Sequence, residues 1–412
     1  MSMATKQIAV IFGGRSVEHD VSVLTGLQFI EALNPEKFAA LPVYVDPAGD
    51  WWTGDALLKR SFYPLDGEKR KNLTPVYLAV GRAGGARLIG KKSGLLGGRD
   101  EEIPIDLVVP AIHGSNGEDG TLQGMLEFAG IAYAGAPALA SAAAMDKAFT
   151  KTLLAGLPGG KAVPVLPHAV IPRPGEGVHL TAEMIDAALG NLLQATGSQG
   201  FPLFVKPQHL GSSIGIAAAP DMEAVLAALL NIFRMDYAAI VEPMVPNLVE
   251  YNVAVAQIGG KTRLSAIERP IVEGDRLDFA AKYMAGGDGG PKLDSAPSEG
   301  MMNQNRVIDP PELTKAQRKT IETSALTAFE ALGLAGSVRI DFLADSESGE
   351  IWFNEINTIP GSFANYLWQA AEPPVSFTAL TEAMIEEGFA LAERRRGDTG
   401  AGAAGGAIFG RN

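Results

Sequence analysis

The chain of 412 residues exceeds the usual reach of one hydrophobic core, so two or three domains are expected, and its 47% hydrophobic and 20% charged residues suit a folded soluble chain rather than a disordered one. Thirty-four Lys+Arg against 47 Asp+Glu give a net charge of −13, which argues against nucleic acid as a partner, and the absence of cysteine excludes disulfides, a thiolate nucleophile and thiolate metal sites. No run approaches the roughly 20 apolar residues of a membrane span and the first residues show no secretory pattern, so no membrane partner and a cytoplasmic location are expected.

In chain order, QIAVIFGG reads as a strand ending at glycines, VSVLTGLQFIEAL as a helix, FAALPVYV as a strand and IDLVVPAIHG as a buried strand. This alternation predicts a parallel α/β layer over residues 1–139, with residues 51–102, which hold Trp51 and Trp52, as an insertion or small hairpin. Residues 140–242 change to α+β. A helix SAAAMDKAFTKTLLAG leads to strands VPVLPHAVI, FPLFVKPQ and SIGIAAA, then a helix MEAVLAALLNIF and a strand AAIVEPMV. Residues 243–396 carry strands YNVAVAQIGG and RLSAIERPIV, a Gly/Asp/Pro-rich stretch, a helix KAQRKTIETSALTAFEALG, two further strands and the helix SFTALTEAMIEEGFALAERRR. The Gly/Ala-rich run 397–412 is expected to be a flexible tail.

Residues 350–361 read EIWFNEINTIPG. Ile351, Trp352, Phe353 and Ile356 suit a buried strand, yet Asn354, Glu355 and Asn357 crowd its end before Pro360 and Gly361. Buried polar groups are costly unless paired. With SVRIDFLAD the run predicts a hairpin over a Ser/Gly turn. A turn centred near Ser348 sets Asp341 opposite Glu355 and Arg339 opposite Asn357, and side chains two apart share a face. Two carboxylates and an amide are hard oxygen donors suited to Mg²⁺, and a guanidinium beside them suits a developing anion. The plainer reading is a surface hairpin whose acids are solvated or paired with Arg339. It is disfavoured because four such groups share one face beside Trp and Phe.

Such a cation implies a phosphate ligand. There is no G-x-x-x-x-G-K-[ST], and no G-x-G-x-x-G follows the first strand, so P-loop and simple dinucleotide readings fall away. Instead FPLFVKPQHLGSSIGIAAA ends a strand at Lys206 and continues into a loop of Gly211, Ser212, Ser213 and Gly215, whose N–H and hydroxyl groups suit phosphate oxygens. Glu242 and Glu250 flank a strand connection able to hold adenine and ribose, although an ordinary connection fits equally. Lys147 alone reads as a solvated helical lysine. His113 ends a strand before a Gly-rich loop, where α/β sites form, while Glu118 and Asp119 alone read as turn acids.

Together and in this order, FGGRSVEHDVS, HGSNGEDGTLQGMLE, SAAAMDK, VKPQHLGSSIGI, AKY, RIDF and NEINTIPG resemble the ATP-grasp superfamily, and closely the D-alanine–D-alanine ligase family, over about residues 7–390. The resemblance implies an ATP-grasp fold behind an N-terminal parallel α/β (pre-ATP-grasp) domain, and a homodimer. It implies ATP held by Lys147, Lys206, Ser212, Ser213, Glu242 and Glu250, with Met244 and Val245 at the adenine edge and Lys282 reaching the γ-phosphate. Two Mg²⁺ ions, or Mn²⁺ in their place, would sit on Asp341, Glu355 and Asn357. Glu18, Ser212 and Tyr283 would link N-terminal domain, glycine loop and lid, with Glu18 also orienting the first amino acid's ammonium. Arg339 and the Gly361 backbone would stabilise the oxyanion, and His113, Glu118, Tyr366 and Leu367 would surround the second substrate. The implied reaction joins two D-alanine molecules for peptidoglycan precursors, through an acyl phosphate.

The chain departs from the family pattern near the second substrate. In NTIPGSFANYLWQA, Tyr366 stands where a Ser is expected and Asn365 where a His is common. Phe279 replaces a Tyr, and the stretch after Tyr283 is longer. Ligation with a different second amino or hydroxy acid is therefore the alternative. A nucleotide-binding protein without ligase activity is a third reading, against which the retained Arg339 argues.

Overall fold

The computed structural model describes residues 5–79, 86–92, 99–195, 200–211, 215–271 and 306–398. Ser212, Ser213, Phe279, Lys282, Tyr283 and the tail beyond Asp398 lie outside them. Among the described residues three sheets carry the fold.

In the first sheet the apolar run of β1 (Lys6–Gly13) pairs in parallel with β2 (Phe38–Val45) and β7 (Leu107–Pro110). The crossover is α1 (His19–Ala32), which lies so close to the sheet that a Cβ on Gly26 would come 2.6 Å from Phe12. The segment expected as an insertion or small hairpin extends the sheet. β3 (Trp51–Thr53), β4 (Thr74–Ala79), β5 (Ala86–Lys92) and β6 (Arg99–Ile105) continue it antiparallel from β2, with the short α2 (Gly67–Arg70) between β3 and β4. Pairing the β2 edge satisfies a row of backbone groups that would otherwise stand open.

After α3 (Thr121–Phe128) the helix predicted over 141–156 is two helices, α4 (Ala138–Met145) and α5 (Lys147–Ala155). Asp146 breaks it. Its backbone is extended and its carboxylate accepts from Phe149 N, an N-cap that restarts the helix at Lys147. The second sheet runs β10 (Ala217–Ala219), β9 (Leu203–Pro207), β11 (Ala238–Pro243) and β8 (Ala169–Pro172), antiparallel throughout. Helices α6 (Ala182–Ala195) and α7 (Met222–Ile232) bury Ile185, Leu189, Val225 and Leu229 against Leu203 and Val205.

The third sheet is β14 (Arg306–Ile308), β13 (Lys261–Pro270), β12 (Leu248–Ile258), β15 (Val338–Asp345) and β16 (Ile351–Asn357), also antiparallel. Val253, Val255, Ile340, Phe342 and Phe353 pack with α8 (Lys315–Ala331), which starts with a capping box between Thr314 and Gln317. A 3-10 turn Gly361–Ala364 and α9 (Asn365–Gln369) lead to α10 (Phe377–Asp398), which returns to the first sheet. Leu380, Met384 and Ile385 share one core with Ile8, Val10 and Phe12.

Candidate active site

Directly paired residues of antiparallel strands project to one side, so the register fixes what shares a face. Glu268 pairs with Asn252, Asn252 with Asp341 and Asp341 with Glu355. One row of acids and an amide thus crosses four strands, opposite the face that α8 covers. One step along the strands toward β15's start, Arg339 pairs with Ala254 and Asn357. One step the other way, Glu250 pairs with Leu343, and Leu343 with Trp352. The strands therefore grade from an apolar end through carboxylates to a guanidinium.

The expected pairs Asp341–Glu355 and Arg339–Asn357 are present, but the hairpin between them is not regular. Nearer the turn, Phe342 pairs with Phe353 and Leu343 with Trp352, so Asn354 is an extra residue in a β-bulge. Strict alternation would turn Asn354 toward the core. The bulge lets it face the same way as Glu355, and its Oδ1 accepts from Lys206 Nζ at 3.0 Å. That is where the polar end of the strand finds its partners.

Lys206 Nζ also meets Glu242 Oε2 at 2.6 Å, and Lys151 Nζ meets Glu242 Oε1. Lys151 and Glu242 are wholly buried. Burial alone would raise the Glu242 carboxyl, yet Lys151 and Lys206 outweigh it and hold it at about 2. Burial lowers the Lys151 ammonium to about 8, opposed by Glu242. Lys147 Nζ donates to Leu210 O at 2.7 Å and meets Glu355 Oε2 at 3.2 Å. Beside these groups Leu166, Val245 and Leu343 form a small apolar cluster with Trp352 against it. Val245 is buried, whereas Met244 is exposed and its N–H donates to Pro202 O.

Glu18 is buried, and a Cβ on Gly114 would meet its Oε2 at 2.5 Å. A Cβ on Gly211 would stand 3.7 Å from the same oxygen, so Glu18 reaches the glycine loop's described end. Glu118 accepts from Gly114 N at 3.0 Å and Ile359 N at 2.9 Å, tying the loop after β7 to the TIPG turn. Burial, and then the neighbouring Glu18 carboxylate, push Glu118 up to about 7 despite those donors. His113 is held at about 3 by burial and then by Arg339, so its 3.8 Å approach to Glu118 joins a neutral ring to an acid. Its Nε2 lies 2.9 Å from Thr25 Oγ1, which also accepts from Ser362 N.

Gly361 opens a turn in which Ser362, Phe363 and Ala364 all take left-handed backbone, φ 51°, 51° and 54°. Non-glycine residues there are strained by about 1–3 kcal/mol each. Buried partners enforce the turn. Ser337 Oγ donates to Phe363 O at 2.7 Å, and Trp368 Nε1 donates to Ser337 Oγ at 2.9 Å. Beyond it, the Leu367 side chain is fully buried in the first core. Tyr366 Oη donates to Glu268 Oε1 at 2.7 Å, Asn252 Nδ2 donates to the same oxygen at 3.0 Å, and Arg306 pairs with Glu268 Oε2 at 2.9 Å. Burial and then Glu268 raise the Tyr366 phenol well above its usual range.

Asp341, Glu355 and Asn357 offer a divalent cation hard oxygen donors on adjacent strands, a chemically fitting set. Asp341 accepts from Arg339 Nε at 2.7 Å and Nη2 at 2.8 Å, and from Asn357 Nδ2 at 2.9 Å. Among the described residues no three His, Asp or Glu side chains converge as a metal cluster, in keeping with a set of two acids and an amide. No helix among them is long and apolar enough to cross a membrane.

Known proteins place this arrangement. The sequence matches the family described as D-ala D-ala ligase N-terminus over residues 7–136, and D-ala D-ala ligase C-terminus over residues 178–386. It is 33% identical over 390 residues to the D-alanine–D-alanine ligase of Geobacillus kaustophilus, covering 93% of this chain and 94% of that protein. The chain belongs to the D-alanine–D-alanine ligase family. The structure of the family's member from Coxiella burnetii superposes with a TM-score of 0.73 at 24% identity, covering 97% of this chain and all (100%) of that one, which supports the shared ATP-grasp fold. The VanG D-Ala:D-Ser ligase of Enterococcus faecalis superposes with a TM-score of 0.70 at 28% identity, covering 93% and 99%.

Of the residues singled out from the D-alanine–D-alanine ligase resemblance, the fold gathers Lys147, Lys206, Glu242, Glu250, Arg339, Asp341, Glu355 and Asn357 along one sheet face and the lysine cluster beside it. Glu18, His113, Glu118 and Gly361 converge on the loops at its side. Sequence reasoning missed Lys151, Asn252, His209 and Glu268. Lys151 stands four residues after Lys147, one helical turn on, and that spacing was its signal. Asn252 and Glu268 were legible only as polar letters inside the apolar strands YNVAVAQI and LSAIERPI.

Proposed function

We propose that the chain is an ATP-dependent ligase that forms the C–N bond of D-alanyl-D-alanine for cell-wall precursors, in keeping with the names of its relatives. The observation that carries this reading is the row Asn252–Asp341–Glu355 beside the Lys147, Lys206 and Glu242 cluster, which offers oxygen donors and ammonium groups to a metal-bound polyphosphate.

In this reading Lys147 and Lys206 neutralise phosphate oxygens, the Leu166–Val245–Leu343 cluster covers adenine beside Glu242 and Met244, and Glu250 takes the ribose hydroxyls. Asp341, Glu355 and Asn357 would hold two Mg²⁺ ions, with Mn²⁺ as a substitute. Such ions, when bound, neutralise and orient phosphate oxygens. Glu18 orients the first D-alanine's ammonium. That substrate's carboxylate oxygen attacks the γ-phosphorus, and ADP leaves. The amine of the second D-alanine then attacks the acyl carbon, inorganic phosphate departs and the amine's surplus proton is released. Arg339 and the Gly361 N–H face the oxyanion, with His113, Glu118 and Tyr366 around the second substrate. Neither step needs a protein nucleophile, so positioning and charge supply the catalysis. Ser212, Ser213, Lys282 and Tyr283 complete the site in the same reading. A homodimer and a cytoplasmic location go with it. A different second substrate, suggested by Tyr366 and its neighbouring departures from the family pattern, is not favoured.

The test is ADP release with Mg²⁺, ATP and a panel of D- and L-amino acids and D-lactate, products being identified by mass spectrometry. ADP release with D-alanine alone, giving the dipeptide, is expected. Release that needs another second partner would overturn the substrate assignment and keep the chemistry.

A further inference from the structure

His209 lies two residues before Gly211, at the point where the strand that ends in Lys206 and Pro207 turns toward the glycine loop. Two other segments meet on its ring. From the turn before β11, the Asp236 carboxylate accepts from His209 N at 2.8 Å and from ring Nδ1 at 2.9 Å. From the start of α5, Asp146 Oδ2 stands 3.5 Å from Nε2, while Oδ1 accepts from Gln208 Nε2 at 2.7 Å. Tyr237 stacks on the ring with centroids 4.3 Å apart and sets its hydroxyl 3.0 Å from Nε2.

The same joint carries backbone bonds. Lys147 N donates to Gln208 O and Gln208 N to Ala238 O, and Lys147 Nζ reaches Leu210 O. The three segments so joined bear Lys147, Lys206 and Glu242. His209 itself lines a cavity of ≈ 540 Å³ together with Ser115, Asp119, Arg173 and Arg234.

We propose that His209 is a positioning residue of the nucleotide site: by bridging Asp146 and Asp236 it fixes the strand end bearing Lys206 against the helix start bearing Lys147, and so sets the affinity for ATP. This rests on the ligase reading for the identity of the ligand. Both ring nitrogens face acceptors, and only the imidazolium donates from both. Burial alone would lower its pKa, but Asp146 and then Asp236 outweigh burial and raise it to about 9. Asp146 is in turn held at about 2, its burial outweighed by His209, Phe149 N and Gln208. Facing the ring are Asp146 from α5 and Asp236 and Tyr237 from the turn before β11. Arg173, Arg234 and Asp119 border the same cavity. The bridge is therefore complete below about pH 7 and is lost as pH rises through about 9.

The experiment is calorimetric binding of AMP-PNP with Mg²⁺ to the full chain and to His209→Gln, His209→Arg and Asp236→Asn, at pH 7 and pH 10, with melting temperature and turnover measured in parallel. Losing a charge-assisted bridge should weaken binding by about tenfold in His209→Gln and Asp236→Asn at pH 7. The Kd ratio of His209→Gln to wild type should fall to about one at pH 10. His209→Arg, permanently charged, should hold its Kd nearer to wild type at pH 7. Ratios of one at pH 7, or a ratio equal at both pH values, would overturn the proposal and leave the histidine a packing residue. A wild type that binds AMP-PNP yet releases no ADP with D-alanine sinks the ligase reading while the ratios still test the bridge. A wild type that binds no nucleotide overturns both.

Discussion

Tyr366 donates its phenolic hydrogen to Glu268 at 2.7 Å while the Arg306 guanidinium lies over its ring, 4.1 Å from the centroid. The bulky residue at this family position is thus bound into an acid at the end of the sheet row, and its hydroxyl already has an acceptor. Tyr366→Phe removes one of the donors serving a carboxylate that is 2% exposed. It should cost about 1–3 kcal/mol of stability, read from urea unfolding. Tyr366→Ser should in addition change the KM for the second D-alanine more than that for ATP. Unaltered preference among second substrates would show that residue 366 does not touch them.

Asp341 and Glu355 face each other across two strands, and either loss should stop phosphoryl transfer without unfolding the sheet. Glu355→Gln is expected to lower ADP release by at least about 100-fold with an unchanged circular dichroism spectrum. EDTA should silence the wild type, and added Mg²⁺ should restore it. A Glu355→Gln protein with full turnover would falsify the metal assignment.

Lys151, Glu242 and Lys206 form a buried ionic group with two cations on one carboxylate. Removing the carboxylate strands two buried ammonium groups, so Glu242→Gln should cost about 3–5 kcal/mol. Lys151→Met leaves Glu242 paired with Lys206 and should cost less, and the double variant less than the sum of the two. Additive losses in a double-mutant cycle would mean that the pair is not coupled.

Glu118 has its carboxyl raised to about 7, near neutrality, by burial and then by Glu18. Because its folded value lies above the unfolded one, its protonation favours the folded state at low pH. That advantage is lost as pH rises from the ordinary carboxylate range through about 7. Melting temperatures collected from pH 4 to 8 should therefore fall more steeply in the wild type than in Glu118→Gln. Parallel curves would sink this account.

Much of this was legible in the sequence. The facing of Asp341 with Glu355 followed from alternation and one turn, since antiparallel pairing is a local rule. Asn354 defeated that rule, because a bulge depends on what waits across the site, here Lys206, and nothing in its neighbours announces it. Asp146 was hidden likewise: an Ala-rich run favours one continuous helix, and the break is stabilised by an N-cap and by Gln208, sixty-two positions away. The loop-rich side of the site, with Glu18, His113 and Glu118, came from the family likeness. Composition alone could not bring residues from three segments to one place. The network of Glu268, Asn252, Arg306 and Tyr366 spans four elements and shows only once the strands are ordered.

The return of α10 to the first sheet has a consequence for how the protein is made. Phe12 and Leu380 belong to one core, so during synthesis β1 waits for a helix translated long after it. At about 5–20 residues per second the interval is roughly 20–70 s, during which Ile8, Val10 and Phe12 lack their final cover. Nascent chains of this protein should therefore be clients of holding chaperones, and a chain stalled before Phe377 should fail to settle its first sheet.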